Sequence, residues 1–130
     1  MTMGSKPKLV IFTPLPPARN GIADYGAGLL PHLAAHYECL CVVADDAPAP
    51  HPTGDGPRIL LAGEYRARAA ALCGERHLFQ VGNNAGHAYM LPWLERVAGV
   101  VVLHDASLAH QMNWLAPAGL AGMVFRGLTR

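Results

Sequence analysis

The sequence predicts an α/β fold: an open, mostly parallel, three-layer sheet of about five strands. Three observations predict it. Short apolar runs alternate with longer helical stretches along the whole chain. The runs are continuous rather than alternating in character, as strands covered on both faces are. No 20–50-residue repeat competes with this reading. The 130 residues amount to about one domain.

The elements follow in order. Lys8 to Thr13 (KLVIFT) is rich in β-branched residues and reads as the first strand. Pro14, Pro16 and Pro17 forbid its continuation and make an extended loop. A helix pattern starts near Gly21, with Tyr25, Leu29, Leu33 and Tyr37 four apart on one stripe and Leu30 beside them. Pro31 lies inside it and predicts a kink, eased by Gly26 and Gly28. Glu38 to Ala44 is a second strand, and Asp45 to Pro57 an exposed loop rich in Pro, Asp and Gly. Arg58 to Ala62 is a third strand. Glu64 to Cys73 has helix-forming composition and ends at Gly74 as a C-cap. His77 to Val81 is a fourth strand, closed by Gly82-Asn83-Asn84. Ala85 to Val97 reads as a helix, with Ala88, Leu91, Leu94 and Glu95 at helical spacing. Val100 to Leu103 is a fifth strand whose apolar character predicts burial on both faces. From Ser107 the chain reads as helical, broken at Pro117.

Composition excludes several classes. The net charge of +1 rules out a polybasic nucleic-acid binder. No apolar run approaches the roughly 18 residues of a membrane-spanning helix. Leu9 to Phe12, behind Lys6 and Lys8, is too short for a secretory signal, so a cytoplasmic location is expected. The odd set Cys39, Cys41 and Cys73 lacks C-x-x-C spacing and reads as small buried thiols. Cys39 and Cys41 should share one face of the second strand. Only 15% of residues are charged, against about 25% in ordinary domains. Residues 1–7 read as a flexible N-terminus, native or left from expression, and 8–130 as the domain.

In a sheet of this kind, ligands bind at the carboxyl ends of the strands. Three polar motifs fall there. Asn20-Gly21-Ile22-Ala23-Asp24-Tyr25 joins the first loop to a helix start, where free backbone N–H groups and the dipole suit a phosphate. Asn20 and Gly21 also tolerate left-handed backbone. On spacing alone an ordinary strand-to-helix turn is the favoured explanation of this motif. Neither G-x-G-x-x-G nor a P-loop is present, against nicotinamide-dinucleotide and P-loop readings. In the second motif, Gly82-Asn83-Asn84 with His87, Asn84 serves either as a helix cap or toward a ligand. His87 has a structural alternative. The third motif is Val100-Val101-Val102-Leu103-His104-Asp105. His104 can accept or donate a hydrogen bond, while Asp105 also suits a helix cap. No tight histidine cluster argues for a metal, and no G-x-S-x-G elbow for a serine nucleophile.

Together, Pro14-Leu15-Pro16-Pro17, Asn20 to Tyr25, Leu29-Leu30-Pro31, Gly82-Asn83-Asn84 with His87-Ala88-Tyr89, and Val101 to Asp105 resemble the N-terminal domain of retaining glycosyltransferases of family four. The similarity spans residues 8 to 112. It implies a Rossmann-like domain forming the acceptor-side half of a GT-B architecture, with the nucleotide-sugar donor held mainly by a C-terminal domain. By this resemblance Gly21 faces the donor diphosphate with Asn20 beside it, where the family often has a second glycine. His104 contacts the transferred sugar as the catalytic residue. Asp24, Tyr25, Asn83, Asn84, His87 and Asp105 line the acceptor side. No cofactor or metal is implied. The partners implied are a nucleotide-sugar and a sugar or lipid-linked acceptor, with no nucleic acid and with peripheral contact to the inner membrane face in the whole enzyme.

The glutamate pair of the family belongs to the C-terminal domain, so the chain is expected to be a fragment without transferase activity of its own. A non-catalytic sugar- or nucleotide-binding module is the alternative, and a doubly wound oxidoreductase or phosphate-binding protein a third. Ala106 to Phe125 carries no charge, which predicts an apolar patch and a homodimer through that segment.

Overall fold

In the computed structural model, residues 4–48, 57–83 and 85–104 are described. They form one five-stranded, all-parallel sheet, an α/β Rossmann-like arrangement. In chain order the elements are β1 (Lys8–Phe12), α1 (Gly21–Ala34), β2 (Glu38–Val43), β3 (Arg58–Leu61), α2 (Ala62–Leu72), β4 (Arg76–Val81), a 3-10 helix (Ala85–Met90), α3 (Leu91–Arg96) and β5 (Val100–Leu103). The strands lie in the order β3-β2-β1-β4-β5. The chain therefore builds outward from β1 in one direction, then returns and builds in the other.

Period-two geometry divides each strand between two cores. Leu9, Ile11, Cys39, Cys41 and Val43 pack with Leu15 and Leu30 on the α1 side. Val10, Phe12, Leu40, Val42, Phe79 and Val81 pack with Tyr65, Leu72, Met90, Leu91 and Trp93 on the side of α2 and α3. Changing the direction of winding changes the covered face, as right-handed crossovers require. Phe12 is the hub of the second core, stacked on Phe79 at 4.8 Å and edge-on to Tyr65 at 4.9 Å. Cys39 and Cys41 share a face and are buried, as their spacing predicts. Burial pushes the Cys41 thiol up to about 12, with Cys39 beside it adding to the effect. Cys73 departs from the expectation: it is exposed at the end of α2.

Three further expectations are corrected. First, β5 is not buried on both faces. Val100, Val101 and Leu103 are 63%, 38% and 54% exposed. The strand is apolar, but sheet order places it at an edge. Second, the buried side of α1 runs through Ala23, Gly26 and Leu30, and Tyr25 is exposed. Gly26 causes the rotation. A Cβ there would stand 2.7 Å from Thr13 Oγ1, so only glycine lets the helix lie this close to the end of β1. Pro31 sits inside a helix that is continuous over all 14 residues. Third, Ala85–Met90 is a 3-10 helix and α3 begins only at Leu91. Pro92 has no N–H to give the carbonyl of Ala88, so an α-helix restarts where proline falls in its first turn.

Smaller contacts fix the layers. Asp45, just past β2, accepts the backbone N–H of Gly63 at 2.8 Å, and Glu64 accepts that of Leu61 at 3.1 Å, so two carboxylates cap the start of α2. Tyr89 donates to the carbonyl of Val42 at 2.9 Å. At the start of β4, His77 donates from Nδ1 to the Glu75 carbonyl and accepts from the Tyr65 hydroxyl at Nε2, both at 2.8 Å. Burial lowers the pKa of His77 and pushes the Tyr65 phenol up to about 12.

Candidate functional site

The strand order reverses between β1 and β4. In open α/β sheets, the crevice outside the carboxyl ends at such a reversal is where ligands bind. The elements bordering it are the β1–α1 loop, the end of β4 and the end of β5.

The β1–α1 loop is shaped by its prolines. Leu15 is buried in the α1-side core, the Pro16-Pro17 peptide bond is cis, and the Ala18 N–H closes a turn onto the Leu15 carbonyl at 3.0 Å. The chain then enters α1 at Asn20. The Asn20 side chain accepts the N–H of Ala23 at 2.7 Å, a helix cap. Its backbone is extended (φ −153°, ψ 158°), so the left-handed tolerance of asparagine is not used. Gly21 is more informative. Its φ is not left-handed, and a Cβ on it would meet nothing within 4 Å. Among the described residues neither conformation nor packing calls for glycine there, and the place a Cβ would take is open. Asp24 and Tyr25 lie on the next turn, both exposed.

At the end of β4, Gly82 is held closely. A Cβ there would collide with Ile22 Cδ1 and stand 2.6 Å from His87 Nε2. The turn residue Gly82 thus meets the first turn of α1 on one side and His87 on the other. His87 is fully buried and donates from Nδ1 to the carbonyl of Gln80 at 3.2 Å. The structure therefore places His87 beneath the Gly82 turn, in the structural position. Asn83 is half-buried in that turn.

At the end of β5, His104 donates its backbone N–H to the Val81 carbonyl at 3.0 Å, one step beyond the strand. Its ring is half-buried. Tyr25 meets it edge-on with centroids 5.1 Å apart and planes at 73°. Its Nε2 lies 2.5 Å from Gln80 Oε1. The exposed face of α1 that carries Tyr25 is therefore the one that reaches the histidine.

The structure brings together Tyr25, Gly82 with His87, and His104, around the helix start that carries Asn20, Gly21 and Asp24. Asn84 and Asp105 lie outside the described residues, as does the segment 106–125 expected to self-associate. One residue was missed. Gln80 is fully buried within β4 yet contacts His104 with its side chain and His87 with its backbone. The available signal was a lone amide in the apolar run His77-Leu78-Phe79-Gln80-Val81, where packing alone favours an aliphatic residue.

Among the described residues no group of three His, Cys, Asp or Glu side chains is placed to hold a metal ion. No helix among them is long and apolar enough to cross a membrane. A hollow of about 270 Å³ lined by Lys6, Tyr37, Glu38 and Arg58 lies at the opposite edge, where the strands begin. Compared with protein-family models, curated proteins and solved structures, the chain matches none.

Proposed function

We propose that this chain is the acceptor-side domain of a retaining glycosyltransferase that moves a sugar from a nucleotide-sugar to an acceptor. One observation carries the reading. An open helix start at Gly21, the Gly82-Asn83 turn and His104 border the crevice where the strand order reverses, and Tyr25 links the first of these to the last. An anionic diphosphate suits the first, through backbone N–H groups and the helix dipole. Hydroxyl groups of a sugar suit the other two, which offer a carboxamide and an imidazole.

In retaining transfer the bond from the anomeric carbon to the leaving phosphate oxygen breaks, and the acceptor oxygen bonds to the same face of that carbon. The departing phosphate oxygen takes the acceptor proton, so the protein need not supply a nucleophile. The residues here then act by orientation and charge. The amide of Gly21 faces negative charge growing on the leaving phosphate. His104 fixes the transferred sugar against it. Asp24, Tyr25 and Asn83 border the side from which an acceptor approaches. The donor's nucleoside would rest on a second domain.

The test is an amide NMR titration of the chain with a UDP- or GDP-sugar, the free nucleotide and NAD. The amides of Gly21, Asn83 and His104 should move with the nucleotide-sugar and stay still with NAD. Larger shifts with NAD, or none with any nucleotide-sugar, would overturn the reading.

A further inference from the structure

Gln80 has no place in that scheme, and burying it is costly. It is fully enclosed near the carboxyl end of β4, where its register partner on β5 is Val102. A buried carboxamide that is not fully hydrogen-bonded costs about 1–3 kcal/mol relative to an apolar residue of the same shape. This one is not fully bonded: among the described residues Nε2 makes no hydrogen bond. The amide is thus retained for what its oxygen does, and Oε1 meets the ring of His104 at 2.5 Å.

That contact fixes the histidine's proton. A carbonyl oxygen only accepts, so Nε2 of His104 must carry the hydrogen. With Nε2 protonated, the neutral ring keeps its lone pair on Nδ1. That atom makes no hydrogen bond among the described residues, and the ring is partly open to solvent. Tyr25, edge-on, limits rotation of the ring from the other side.

We infer that Gln80 is a positioning residue that holds His104 as its Nε2–H tautomer, so that Nδ1 is presented to the crevice as a hydrogen-bond acceptor. Resting on the function proposed above, this names the chemistry that His104 reads: a group that donates a hydrogen, such as a sugar hydroxyl. An oxygen without a hydrogen, such as that of a phosphate diester, finds only a lone pair there.

Nitrogen-15 NMR of the histidine ring in the 130-residue chain tests this directly. In the unaltered protein at a pH where the ring is neutral, Nε2 should give the protonated signal and Nδ1 the unprotonated one. The Nε2 hydrogen should be slow enough in exchange to be seen. Gln80→Leu keeps the volume and removes the acceptor. The ring should then sample both tautomers, and the Nε2 hydrogen should exchange about fivefold faster, the loss of one ordinary hydrogen bond. Gln80→Glu, which still accepts, should restore the single protonated Nε2 signal. A wild-type ring protonated at Nδ1 overturns the inference without any variant, as does a Gln80→Leu ring unchanged in tautomer and exchange. Neither readout involves a nucleotide-sugar. An Nε2–H ring that ignores nucleotide-sugars therefore refutes the function and leaves the role of Gln80 standing.

Discussion

Replacing Gly21 with alanine separates what the fold needs from what a ligand needs. The added Cβ meets no atom within 4 Å, and φ at this position is one an L-residue adopts. The Asn20 cap is untouched, because its acceptor bond runs to Ala23 at 2.7 Å. Folding should therefore gain from the narrower unfolded ensemble, by about 0.4–1 kcal/mol. For a domain of this size that is a rise of about 2–4 °C in Tm. Binding should move the opposite way. A methyl group over the amide keeps a phosphate oxygen out of hydrogen-bond range. Losing one charge-assisted bond costs about 1.5–3 kcal/mol, a tenfold to hundredfold weakening of Kd. Thermal melting by circular dichroism and calorimetric titration with a nucleotide-sugar give the two numbers on the same sample. A variant that is more stable and binds as well as before would refute the placement of the diphosphate over Gly21. A variant that melts lower would refute the claim that the site is open.

Other substitutions probe the surroundings. Gly82→Ala should destabilise by about 1–3 kcal/mol, because Ile22 can rotate away but buried His87 cannot leave without losing its bond to Gln80; an unchanged chemical-denaturation midpoint would contradict this. His77 has its pKa lowered by burial from an ordinary 6.5. The unfolded chain therefore binds a proton first, and the stability His77 contributes is full above pH 6.5 and lost as pH falls through its folded value. Melting temperature should decline on that acid side, and His77→Phe should flatten the decline. Among the cysteines, a colorimetric thiol reagent should label Cys73 quickly in the native protein and Cys39 and Cys41 only on unfolding. Rapid labelling of all three would show that the α1-side core is open.

The strands and the entry to α1 are legible in the sequence because each is decided locally. Lys8–Phe12 and Glu38–Val43 are apolar runs bounded by turn residues, and asparagine before glycine marks a helix start by its capping chemistry. What was not legible depends on partners distant in the chain. Val100–Leu103 has the composition of an inner strand, yet its exposure follows from a place in the sheet that its own residues do not encode. Tyr25 heads the apolar stripe yet is exposed, because Gly26 seats the neighbouring face on Thr13, and a glycine contributes to packing by what it lacks. Gln80 was passed over for the same reason. Its importance appears only when β5 brings His104 alongside, 24 residues later.

The hydrogen bond from the His104 backbone to Val81 assigns the histidine to the sheet. The ring is anchored through β4 at both its backbone and, by way of Gln80, its side chain. Among the described residues, both of these holds come from β4. A substitution in β4 should therefore reach the imidazole through its backbone and its ring together. The edge strand β5 and the inner strand β4 thus share one side-chain lock, so that the outermost strand is tied to the sheet by more than its ladder of backbone bonds.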